Sequence, residues 1–109
     1  MIRIDIKPLS VNDAWQGKRF KTKEYKVYEK ILLLTLPKFR LPEAPYHIHY
    51  EFGFSNMRSD VDNPIKCLSD ILSKKYGFND SSVHSMSAIK VKVDKGKEYF
   101  KVDIVSIDK

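Results

Sequence analysis

The sequence predicts an α/β protein of the α+β type, one domain spanning residues 1–109. Its elements run β-α-β-α-β-β, a mixed sheet packed with two helices. Three observations carry this reading. Four segments alternate apolar and polar residues with period two, the signature of half-buried strands. Two segments place apolar residues at helical spacing between cap signals. The chain has 109 residues, 42% hydrophobic and 31% charged, which suits one core and is too short for two domains.

Ile2, Ile4 and Ile6 alternate with Arg3, Asp5 and Lys7, a short strand that Pro8 ends. Residues 10–21 are polar and irregular and read as a loop. Thr22 is the N-cap of a helix running to about Thr35. Tyr25, Tyr28 and Leu32 form its core stripe, which Ile31 and Leu34 widen. Pro37 disfavours helical geometry at Leu36 and stops it. A proline-rich connector follows.

Tyr46, Ile48, Tyr50, Phe52 and Phe54 alternate with His47, His49, Glu51 and Gly53 in the clearest strand of the chain. Asn63 and Pro64 read as N-cap and first residue of a second helix. Ile65, Leu68, Ile71 and Leu72 form its core stripe, and Gly77 marks its end. Ile89, Val91 and Val93 form one strand and Phe100, Val102 and Ile104 another, with a hairpin turn expected at Lys95-Gly96-Lys97.

Lys and Arg total 20 against 14 Asp and Glu, so the net charge is +6. That balance suits an anionic partner such as nucleic acid, and equally a merely soluble basic protein. The single cysteine, Cys67, excludes an internal disulfide framework and a Cys-rich zinc site. No apolar run approaches the roughly 20 residues of a membrane span, and the N-terminus lacks a signal-peptide core. A reducing, cytoplasmic setting is therefore expected.

The chemistry concentrates between Arg58 and Asp80. Asp60 and Asp62 are two apart, so an extended chain would point both carboxylates the same way. Like charges at that spacing favour a cation, and hard oxygen donors suit Mg²⁺, with Mn²⁺ as a substitute. Lys66 follows Asp62 by about one helical turn and can reach over the same carboxylates. Asp80 can return to them from the loop after the second helix. Carboxylates and a lysine around a divalent ion suit phosphodiester hydrolysis. The same residues also serve as turn and capping groups with a surface lysine, and that reading stands beside the first.

Asp60 to Leu72 spells D-x-D-N-x-x-K-x-x-x-D-x-L, followed by Gly77, Phe78, Asp80 and Val83 as G-F-x-D-x-x-V and by Lys90. With Pro8-Leu9-Ser10-Val11-Asn12, a basic loop and Tyr25-Lys26, this resembles the RusA-type crossover-junction endodeoxyribonucleases, Holliday-junction resolvases of many phages and prophages. The resemblance spans most of the chain. It implies that Asp60, Asp62 and Asp80 bind Mg²⁺, that Lys66 is required for cleavage, and that the enzyme is a homodimer. Asn79 stands where the family often has an acid.

The expected function is therefore Mg²⁺-dependent cleavage of branched DNA, chiefly four-way junctions, by a C2 homodimer making paired cuts in recombination and repair. Two alternatives remain: a metal-dependent nuclease of flap or RNA specificity, and a non-catalytic branched-DNA-binding module. Candidate DNA contacts are Trp15, Lys18, Arg19, Lys21, Lys23, Lys26, Arg58 and Lys90. Trp15 can stack on an unpaired base or fold onto the core. His47 and His49 share a strand face, either as a metal pair or as the polar side of a half-buried strand.

Overall fold

A four-stranded mixed sheet carries the protein, with two helices packed on one of its faces. The computed structural model describes residues 1–10, 15–16, 20–58 and 60–107, with only the backbone of 15, 16 and 20. In chain order the elements are β1 (Ile2–Ile4), β2 (Trp15–Gln16), β3 (Phe20–Lys21), α1 (Lys23–Thr35), β4 (Tyr46–Phe54), α2 (Ile65–Tyr76), a 3₁₀ turn (Asp80–Ser82), β5 (Val83–Lys92) and β6 (Tyr99–Ser106). The sheet order is β1-β6-β4-β5. β4 runs parallel to β5 and antiparallel to β6, and β6 is antiparallel to β1. The α+β class and the mixed sheet with two helices are as expected.

Two details differ from the sequence expectation. Within the stretch read as a loop, β2 and β3 pair antiparallel as a two-stranded ribbon, Trp15 opposite Lys21. The expected hairpin is also replaced. Residues 94–97 do turn, with the Lys97 N–H donating to the Asp94 carbonyl at 2.9 Å and Gly96 at φ +92°. The strands on either side of this turn do not pair, because β4 lies between them.

Both helices obey their sequence signals. The Thr22 hydroxyl accepts the Tyr25 N–H at 3.2 Å and caps α1. α2 ends at Gly77, whose φ of +74° is the left-handed conformation glycine adopts without penalty. The helix-facing side of β4 buries Tyr46, Ile48, Tyr50, Phe52 and Phe54. Tyr25, Tyr28 and Leu32 of α1 and Cys67, Leu68, Ile71 and Leu72 of α2 join them in one core. Glu29 bridges Lys21 at 3.0 Å and Lys74 at 3.6 Å, tying β3, α1 and α2 together. Among the described residues no helix is long and apolar enough to cross a membrane.

The opposite face is open and polar. Tyr99 lies flat over Gly53, where an added Cβ would meet the ring at 2.4 Å, so only glycine fits there. The Arg3 guanidinium lies over that ring, 4.2 Å from its centre.

Candidate active site

The segment from Ser55 to Pro64 joins the C-terminal end of β4 to α2 and carries Asp60 and Asp62. Two lysines of β5 hold it: Lys90 donates to the Met57 carbonyl at 3.1 Å, and Lys92 donates to the Ser55 carbonyl. Sequence alternation set these lysines on the solvent side. Their register opposite Phe52 and Phe54 puts them on the helix side of the edge strand instead. Ile89, the alternate residue, is 46% exposed rather than in the core. The Ser55 hydroxyl donates to Glu98 at 2.8 Å, and the Arg58 N–H donates to the Asn56 side-chain oxygen at 3.0 Å.

Asp60 and Asp62 are exposed and do not lie in extended chain. The Asn63 N–H donates to the Asp60 carbonyl at 3.2 Å and the Ile65 N–H to the Asp62 carbonyl at 3.1 Å. Successive turns compact the backbone here, so the period-two geometry expected for the pair is not realised. Asn63 is not the cap either: Pro64 holds that position and no side chain caps the first turn of α2.

Lys66 is exposed on the first turn of α2, and Asp70 follows one turn later, half-buried. Burial pushes the Asp70 carboxyl above its ordinary range; the charge of Asp80 adds to this, while Lys66 and Lys21 oppose it. Asp80 opens the 3₁₀ turn, held by Asn79, whose side-chain oxygen accepts both the N–H and the hydroxyl of Ser81 at 3.0 Å. Asn79 thus serves as the cap of the turn that presents Asp80. Beneath this group sits Tyr50, fully buried, with its hydroxyl next to Ser69 yet without a hydrogen bond of ordinary geometry. Burial, Asp80 and Asp70 all raise its pKa. The neighbouring Cys67 thiol is pushed up to about 11 by burial and by Asp70, so it is a packing residue and not a nucleophile.

The structure therefore links Lys66, Asp70 and Asp80 electrostatically and places Asp60 and Asp62 at the start of the same helix. Among the described residues no three His, Cys, Asp or Glu side chains are grouped to hold one metal ion, Asp60, Asp62 and Asp80 included. Asp70, Tyr50 and Ser69 were not in the sequence-derived site. Asp70 was visible as a spaced motif acid. Tyr50 was hidden because its place in the β4 alternation reads as plain core.

The expected DNA contacts divide three ways. Lys23, Lys26 and Arg58 are exposed. Lys21 is bound to Glu29 and lies over the Tyr25 ring, and Lys90 holds the Met57 carbonyl. Lys18, Arg19 and the Trp15 side chain lie outside the described residues. On the open face of the sheet, His47 Nδ1 meets the Ser85 hydroxyl at 2.7 Å. His47 Nε2 and His49 Nδ1 share the Ser87 hydroxyl at 3.0 and 2.6 Å. The two histidines are thus bound into a serine ladder across the β4–β5 pair.

No protein-family model matches this chain, and no curated protein matches it either.

Proposed function

We propose that the protein is a metal-dependent endonuclease of branched DNA that cuts four-way junctions in pairs as a homodimer. The spaced pattern from Asp60 to Val83 supports the reading, and the fold brings the Asp70 carboxyl of α2 within electrostatic reach of Asp80 and Lys66. Two carboxylates in that relation favour a cation. The donor set suits Mg²⁺ or Mn²⁺, which take a few carboxylate oxygens and keep several waters.

The sequence resemblance assigns the ion to Asp60, Asp62 and Asp80; these three are not gathered around one point in this structure, and Asp70 and Asp80 are the two carboxylates that act on one another. When bound, such an ion lowers the pKa of a water and polarises a phosphoryl oxygen. Lys66, exposed and charged, offsets negative charge gathering on the phosphate. Lys23, Lys26 and Arg58 meet the backbone of the duplex arms. One chain carries one such site, and symmetric resolution needs two cuts, so the working unit is a C2 dimer.

The lack of a three-acid metal group among the described residues favours a second reading, a module that binds branched DNA without cutting it. Labelled four-way junctions incubated with Mg²⁺ and with EDTA separate the two. Paired nicks with Mg²⁺ alone are expected. Tight binding without nicks in Mg²⁺ or Mn²⁺ would establish the module, and faster cutting of flaps or structured RNA would establish a different nuclease.

A further inference from the structure

A cavity of about 140 Å³ opens beside the carboxylate-bearing segment. Cavities that enclose drug-sized ligands run to roughly 300–1,000 Å³, so this one has room for a single small ring system. Phe54, Pro8 and Pro64 supply flat apolar walls, and Asn56 and Asn63 supply amides. These two asparagines belong to the segment that carries Asp60 and Asp62, so the cavity shares its wall with the loop of the candidate active site.

The charge of the lining decides what kind of ring system enters. Glu98 lines the cavity and is fixed in place: one carboxylate oxygen accepts the Gly96 N–H and the other the Ser55 hydroxyl, both at 2.8 Å. Its own backbone N–H, and after it the Ser55 and Gly96 hydrogen bonds, hold the Glu98 carboxyl below its ordinary range, so it is an ionised acceptor at neutral pH. Lys7, also in the lining, offsets that charge. A phosphate would meet a fixed carboxylate here. A neutral heterocycle with an exocyclic amino group would instead donate to Glu98 and pair its edge with an asparagine amide.

We infer that this cavity takes one nucleobase of the branched DNA and gives the cleavage its sequence preference. The inference rests on the nuclease reading for its consequence, but base capture itself is measurable without cleavage.

Junctions in which a single abasic residue is stepped through the crossover provide the test, with affinity measured in EDTA. In the wild-type protein one position is expected to weaken binding by about five- to 150-fold, the scale of one good base contact. Glu98→Gln, which keeps the size of the side chain, and Asn63→Ala are each expected to lose most of that difference while still melting cooperatively. No sensitive position, or a penalty that persists undiminished in both variants, overturns the inference. The same wild-type protein is then given Mg²⁺. Failure to cut any branched DNA refutes the nuclease reading and leaves base capture standing, whereas cutting with no abasic effect refutes base capture alone.

Discussion

Helices α1 and α2 cover the same face of the sheet but bury different shares of their surface against it. α2 buries Cys67, Leu68, Ile71 and Leu72, each 0% exposed, and its last turn is tied down further. Lys75 donates to the Leu33 carbonyl at 2.9 Å and the Tyr76 hydroxyl to the Pro37 carbonyl at 2.7 Å. α1 buries Tyr25, Tyr28 and Leu32 but leaves Val27, Ile31 and Leu34 at 49%, 39% and 77% exposure, alongside Lys23, Lys26 and Lys30. The difference amounts to a division of labour. The acidic groups of the candidate site sit on α2 and beyond both of its ends, Asp70 half-buried and Asp60, Asp62 and Asp80 exposed on turns. Three exposed cations, Lys23, Lys26 and Lys30, line the outer side of α1, against Lys66 and Lys74 on α2.

The strongest way to break this comparison is to shorten one leucine on each helix. Leu68→Ala should cost about 2–5 kcal/mol in urea denaturation, the usual toll of a core cavity. Leu34→Ala should change stability by no more than about 0.5 kcal/mol. Equal losses would show that the core depends on α1 no less than on α2.

Chemistry should divide along the same line. Asp62→Asn should lower the cleavage rate by at least about 10²–10³-fold, the scale of losing a group essential to transition-state charge. Junction affinity should be kept, because the variant is more positive. Quantifying cleavage and gel-shift affinity on the same junction checks this, and retained Mg²⁺-dependent cutting would remove Asp62 from the site.

On the α1 side the effect should be ionic and uniform. Replacing Lys23, Lys26 and Lys30 together with Ala should flatten the log–log salt dependence of junction binding by roughly 2–3, about 0.9 per lost phosphate contact. Lys66→Ala should instead depress turnover more than affinity. If Lys66 behaves like the α1 lysines, it is a docking charge.

The smallest effect concerns Asp70. Its carboxyl titrates above the ordinary range in the folded chain, so the folded state holds that proton to higher pH than the unfolded state. Ionised Asp70 therefore lowers stability at neutral pH, and the cost fades as pH falls through the raised value towards the ordinary carboxylate value of about 3.9. In EDTA, Asp70→Asn should melt slightly above wild type at pH 7 and level with it near pH 3. The gain is small because the group is partly solvated. A variant that melts lower at pH 7 would mean that Asp70 is paired rather than repelled.

The sequence made the local elements legible and left their assembly open. Thr22, Pro37 and Gly77 act within a few residues, and the β4 alternation is uninterrupted, so these boundaries are found as expected. The pairing of β5 and β6 was misread because a turn such as residues 94–97 looks the same whether its flanking strands meet or straddle a third. Asp60 and Asp62 illustrate the same limit at the site. Their spacing is plain in the sequence, but turn hydrogen bonds at Asn63 and Ile65 set their directions. Asp70 became prominent only through its neighbours in space, Asp80 above all.

The register of β1 has a consequence for how the chain comes to be folded. Ile2 lies opposite Val102, so the first strand finds its partner only in the last one. At a synthesis rate of about 5–20 residues per second, some 5–20 s pass between the two. During that interval Ile2 and Ile4 have no strand to lie against, and β4 presents the edge that β6 will later fill. The helices and the β4–α2–β5 unit can form as the chain emerges, but the sheet can only close from its C-terminal end. A contact spanning nearly the whole sequence also carries a large loop-closure cost, which places the final step of folding on the slow side for a protein of this size.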